Sequence, residues 1–220
     1  MSDIQLSLAD KLAPERSALL VIDMQNDFCA EGGYLHNMRP FDEADNVALA
    51  GRIMDLVRRA RDRGVPVIWI MANYDPKHLA APALAKRIEA SRDAICCEGG
   101  TWGWDFFAVE AAEGEAVVEK HSYNGFNNTN LDDILKSHGV ETLVITGVAT
   151  NVCVESTLRE GYFRGYYVVV PEDCVACGIQ ELHDGALNNF RLFFGDVVPS
   201  GDILELWPNE SDESRLEETG

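Results

Sequence analysis

Positive charge is scarce in this chain. Lys and Arg number 18 against 37 Asp and Glu, a formal net charge of -19. A field of that sign repels phosphate backbones and anionic headgroups, which argues against nucleic acid and membrane surfaces as partners. Long apolar runs are missing as well: nothing approaches the roughly eighteen consecutive apolar residues that cross a bilayer. Met1 to Arg16 has no cationic start followed by an apolar stretch of the secretory kind. The expected location is the cytoplasm. There the six cysteines, Cys29, Cys96, Cys97, Cys153, Cys174 and Cys177, are expected to stay reduced. No internal repeat is visible.

What is present is ordinary for a globular enzyme. The 220 residues are 46% hydrophobic and 25% charged, enough for one core and short of the length at which a second becomes the default. The expectation is a single domain over 1–220, with 1–16 as an N-terminal extension and 208–220 as an acidic tail. That tail carries five acidic residues and one Arg with almost nothing apolar, a composition that adds solubility rather than fold.

Apolar, β-rich runs recur at Ala18 to Ile22, Val65 to Met71, Val117 to Val118, Leu143 to Ile145 and Tyr166 to Val170. Their unbroken hydrophobicity predicts strands buried on both faces, as in a parallel sheet. Between them, helical patterns close on glycine: Ala44 to Arg63 before Gly64, Leu131 to His138 before Gly139, and Asn151 to Arg164 before Gly165. Strand and helix alternating along one chain predict an α/β fold. We expect a three-layer, Rossmann-like domain with a mostly parallel sheet of about six strands, flanked by helices on both faces. Cys29 to Pro40 and Asn73 to Phe107 break the rhythm and are expected to form rims or lids.

In an open parallel sheet, ligands bind beyond the carboxyl ends of the strands. Three residues stand there. Asp23 ends the first apolar run, Lys120 ends Val117-Val-Glu-Lys120, and Cys153 opens the helix after Leu143-Val-Ile-Thr-Gly147. A thiol at a helix start beside a cation is expected to ionise more readily than a free one. Lys120 would be that cation, and Asp23 would accept the thiol proton and return it to a leaving amine. A buried Cys is more often a small hydrophobe, and a strand-end Asp or Lys a surface ion pair; the joint spacing on one rim favours chemistry.

Val21-Ile-Asp-Met-Gln-Asn-Asp-Phe28, Glu119-Lys-His-Ser-Tyr-Asn-Gly-Phe126 and Thr146-Gly-Val-Ala-Thr-Asn-Val-Cys153 resemble, in order, the three signature blocks of the isochorismatase-like cysteine hydrolases. The likeness runs from about Ser17 to Gly195. It implies an Asp23, Lys120, Cys153 triad, a cis Val148–Ala149 peptide, and an oxyanion hole from the amides of Ala149 and Cys153. It further implies a homodimer or homotetramer and no cofactor. Relatives that resemble nicotinamidase carry a metal held by an Asp and several His. This chain has no Asp-x-His pair and offers only His36 and His78 there, so no metal is expected. Isochorismatases proper lack the nucleophilic Cys.

The branch acting on ureido and carbamoyl amides has local likenesses here: Asn151 to Arg159 resembles ureidoacrylate amidohydrolase, and Asp27 to Tyr34 and Glu172-Asp-Cys174 resemble biuret and triuret hydrolases. A carboxylate-bearing substrate would want a cation, for which Lys86, Arg87 and Arg92 are candidates. A neutral one would want amide partners, for which Gln25, Asn73, Tyr123 and Asn124 are candidates. Trp102, Trp104 and Phe126 are candidate pocket walls. The expected function is hydrolysis of a C–N bond in a small ureido or carbamoyl compound through an acyl-enzyme. Open alternatives are an N-carbamoyl amino acid or other small amide, a binding protein that keeps the fold without turnover, and a zinc or redox module on Cys174 and Cys177.

Overall fold

The structure is a computed structural model, which describes residues 4–90 and 93–208; Arg92 and nearly all of the acidic tail lie outside the described residues. Its centre is a parallel sheet. Strand β1 (Ser17–Ile22) pairs with β2 (Val67–Ala72) on one side and β4 (Thr142–Val148) on the other. β2 carries β3 (Ala116–Lys120), β4 carries β5 (Tyr167–Pro171), and β7 (Asp196–Val198) closes the far edge. The order is β3-β2-β1-β4-β5-β7, with the two-residue β6 (Val175–Ala176) beside the end of β4. The α/β expectation holds.

Every residue of β1, β2 and β4 is buried, which is why Ala18 to Ile22, Val67 to Ala72 and Leu143 to Ile145 within them are unbroken apolar runs rather than alternating ones. Alternate side chains feed two cores. Leu19 and Val21 pack on one face with Ile53, Leu56 and Val57 of α4 (Glu43–Asp62), while Leu20 and Ile22 pack on the other with Leu131 and Leu135 of α6 (Leu131–Ser137) and Leu158 of α7 (Glu155–Phe163). Gly64, Gly139 and Gly165 adopt φ of 67°, 67° and 95°, the left-handed turn that ends a helix and that glycine enters without steric cost.

Three departures from the sequence expectation matter. The stretch predicted as one helix over Asn151 to Arg164 begins instead as a wide turn, Thr150–Val154, of π-helical type, before α7. The chain after β5 forms a further helix, Gln180–Phe193, and a last one, Ser200–Leu206, neither of which the apolar pattern had announced. The described part of the N-terminal extension packs on the domain: Ser7 makes a reciprocal cap with Asp10, Leu12 is buried, and the Trp207 indole N–H donates to the Leu12 carbonyl at 2.7 Å.

Candidate active site

The site forms where β1, β3 and β4 end. Asp23 follows β1 with φ 55°, a left-handed conformation that Asp adopts more readily than most residues. Its N–H donates to the Ile70 carbonyl of β2 at 2.8 Å. Lys120 is the last residue of β3. Cys153 sits in the wide turn after β4, one strand away from Asp23. These three, far apart in sequence, meet. Lys120 Nζ lies 2.9 Å from Asp23 Oδ2 and 3.5 Å from Cys153 Sγ. Asp23 and Lys120 are fully buried and Cys153 nearly so. The Val148–Ala149 peptide beside them is cis.

Burial governs the electrostatics. It pushes the Asp23 carboxyl above the ordinary carboxylate range, with Lys120 and Cys153 opposing. Burial also works against the charge on Lys120, but the Asp23 carboxylate and the Cys153 sulfur outweigh it and hold the ammonium above its usual value. The Cys153 thiol is pushed up to about 12 by burial and by Asp23, against the pull of Lys120. Burial thus opposes the readily ionised thiol that the sequence predicts. Desolvation of a thiolate there is set against the pull of one buried cation that already faces a carboxylate. The arrangement suits proton transfer from sulfur to Asp23 during attack rather than a standing thiolate.

A fourth residue joins them that the sequence reading did not single out. The Tyr74 hydroxyl accepts from Lys120 Nζ at 3.1 Å and lies 3.7 Å from Cys153 Sγ; the Ser122 carbonyl accepts from Lys120 at 3.0 Å. Tyr74 is two residues beyond β2, at the same sheet edge as Asp23 and Lys120, so the rule that located those two also reaches Tyr74. Burial raises its phenol well above the ordinary value, and it stays a neutral hydrogen-bonding group.

Tyr74 also faces a cavity of about 580 Å³ lined by Phe28, Tyr34, Leu79, Cys96, Ser122 and Tyr123, with Lys86 and Arg87 of α5 (Ala81–Glu89) on its wall. Among the candidate substrate contacts, Tyr123 lines it, 59% exposed and edge-on to Tyr74. The others fall elsewhere. Gln25 is a strut: its amide donates to the carbonyls of Ala72 (3.0 Å) and Trp104 (2.8 Å) and accepts from the Ala72 N–H at 2.7 Å. Asn73 is buried, its side-chain oxygen accepting from the Asp75 N–H, and Asn124 accepts from the Phe126 N–H in a turn. Phe126 is core, stacked on Tyr166 with the Arg164 guanidinium over its face. Trp102 is 54% exposed and outside the lining of the cavity. In the structure these polar groups bond the backbone of a strand end and of loops.

The isochorismatase domain family matches residues 17–202. Ureidoacrylate amidohydrolase RutB of Methylorubrum extorquens is 37% identical over 201 residues, 83% of this chain and 79% of that protein. Among solved structures, a cysteine hydrolase from Pseudomonas syringae superposes with TM-score 0.77 over 94% of this chain and 98% of that one, at 24% identity, a likeness of fold. N-carbamoylsarcosine amidase from Thermoplasma acidophilum is 27% identical with TM-score 0.68, over 84% of this chain and 96% of that one. With its signature residues gathered at one sheet edge and the family match spanning nearly the whole described chain, the protein belongs to the isochorismatase-like cysteine hydrolases.

Proposed function

We propose that this protein is an amidohydrolase that cleaves a C–N bond of a small ureido or carbamoyl compound of the ureidoacrylate, biuret or triuret type. The observation that carries the reading is the buried Asp23–Lys120–Cys153 contact set beside the Tyr74-lined cavity. Cys153 Sγ attacks the carbonyl carbon while its proton passes to Asp23. Lys120 holds Asp23 in place and offsets the negative charge that accumulates. The amides of Ala149 and Cys153 receive the oxyanion, a contact worth about 3–4 kcal/mol per donor in acyl transfer. Collapse expels ammonia or an amine, protonated by Asp23, and leaves an acyl-enzyme. Asp23 then takes a proton from water, whose oxygen attacks the acyl carbon and releases Cys153 as a thiol.

The named activity of the ureidoacrylate amidohydrolase relatives favours a substrate bearing a carboxylate. Lys86 and Arg87 on the cavity wall fit that charge. A second reading, hydrolysis of an N-carbamoyl amino acid, draws on the likeness to N-carbamoylsarcosine amidase; its substrate would present the same carboxylate beside a saturated carbon. Neither reading calls for a cofactor. We place the enzyme in the cytoplasm as a homodimer or homotetramer, in line with the exposed Phe163, Leu192 and Phe193 surface. Among the described residues no helix is long and apolar enough to cross a membrane.

The test is ammonia release from ureidoacrylate, biuret, triuret and N-carbamoyl amino acids, with wild type and Cys153→Ala side by side. Turnover of one class that vanishes in the variant is expected. Turnover that survives Cys153→Ala would overturn the nucleophile, and inertness toward every compound would leave the alternative of a non-catalytic binding protein.

A further inference from the structure

One cluster of ligating groups lies outside the reaction centre. Asp27, Cys96 and Cys97 bring a carboxylate oxygen and two thiol sulfurs within 4.8 Å of one another. The two sulfurs are 3.8 Å apart, which is the span a tetrahedral ion sets between two sulfurs bonded at about 2.3 Å. The carboxylate is held from behind. Asp27 Oδ1 accepts from the Tyr34 N–H at 3.0 Å and Oδ2 from the Cys97 N–H at 2.6 Å. Such outer hydrogen bonds orient a ligating carboxylate, and each oxygen keeps a lone pair to offer. Gly103 packs so closely that a Cβ there would fall 2.4 Å from the Asp27 carboxyl group, so the cradle depends on a residue without a side chain.

Access exists from two directions. Cys96 lines the cavity that Tyr74 faces. Asp27 lines a second cavity of about 540 Å³, together with Tyr34, Asn37, Asp93 and Ile95. We propose that Asp27, Cys96 and Cys97 form a binding site for one thiophilic divalent cation of the zinc and cadmium class, separate from Asp23, Lys120 and Cys153. Binding breaks both S–H bonds and releases two protons. Two thiolates and one carboxylate then face a doubly positive ion, leaving a net single negative charge. Three protein donors leave one position for a solvent ligand. These ligands differ from the Asp-x-His arrangement that the sequence lacks, because two adjacent cysteines and an aspartate some seventy positions earlier share no local spacing.

The test is titration of the reduced, full-length Cys153→Ala protein with cadmium, which removes the nucleophile's own thiol from the readout. It is followed by the ultraviolet thiolate-to-metal band and by equilibrium dialysis. One equivalent is expected to bind and to be displaced by zinc. Cys96→Ser and Cys97→Ser should each weaken affinity by more than about tenfold and diminish the band. Asp27→Asn should weaken binding while keeping a two-sulfur band, and Cys177→Ser should change neither. Because Cys97 is fully buried, Cys96→Ser, at the cavity wall, decides the matter should Cys97→Ser fail to fold. Absence of the band, or full-affinity binding in Cys96→Ser, would overturn the site. Loss of binding in Cys177→Ser would move it to Cys174 and Cys177. Because the readout is metal binding, its outcome is independent of which amide the enzyme cleaves.

Discussion

At the scale of single residues, the proposed reaction rests on how burial distributes one proton between Cys153 and Asp23. Asp23 must be ionised to accept the thiol proton, and burial raises its carboxyl, so activity is lost as pH falls through that raised value. We expect the acid limb of kcat/KM to lie above the pH of about 4 typical of a free aspartate. Asp23→Asn should abolish that limb and lower turnover by about two to four orders of magnitude; a pH-rate profile of both proteins checks this, and an unchanged limb in the variant would assign it to another group. Tyr74 invites a second measurement. Its hydroxyl contacts both Lys120 and Cys153, and hydrogen bonds to charged groups are worth about 1.5–3 kcal/mol. Tyr74→Phe should therefore reduce kcat/KM by roughly ten- to a hundredfold, with most of the loss in kcat if the hydroxyl acts on the reacting sulfur and most in KM if it only shapes the cavity.

At the scale of elements, the active rim depends on how closely β1 and β4 approach where both strands end. Gly147 has φ 106°, and a Cβ built there would lie 2.0 Å from the Ile22 carbonyl oxygen. No L side chain fits without moving a central strand. Gly147→Ala should cost about 3 kcal/mol or more, the sum of backbone strain and overpacking. It should also displace Asp23, which follows Ile22 directly. Urea denaturation paired with an activity assay would reveal both effects, and a variant of native stability would disprove the close approach. Gln25 bonds β2 to the segment around Trp104, so that segment is tied to the sheet.

At the scale of the whole molecule, the dominant quantity is the formal net charge of -19. Such a field slows the approach of an anionic substrate and leaves a neutral one unaffected. Raising ionic strength from about 0.01 to 0.15 M shortens the screening length from about 30 to 8 Å. For a carboxylate-bearing ureido compound we expect kcat/KM to rise about two- to threefold over that range, while biuret stays flat. Stopped assays at several salt concentrations test this. A fall with salt would mean that Lys86 and Arg87 at the cavity, rather than the global field, govern capture.

Much of this was legible in the chain itself. Buried parallel strands betray themselves as unbroken apolar runs, and Gly64, Gly139 and Gly165 mark helix ends because only glycine enters that turn cheaply. Polar residues placed directly after such runs, Asp23 and Lys120, must face the rim, and Cys153 follows from the turn after β4. What only the tertiary structure decided is where the remaining polar and aromatic side chains point. Gln25, Asn73 and Asn124 are absorbed by loop backbone and Phe126 by the core, while Tyr74 reaches the sulfur and Asp27 meets Cys96 and Cys97. The physical reason is range: periodicity and propensity act over a few residues, whereas the direction of a loop side chain is set by which distant backbone groups would otherwise be buried without a partner.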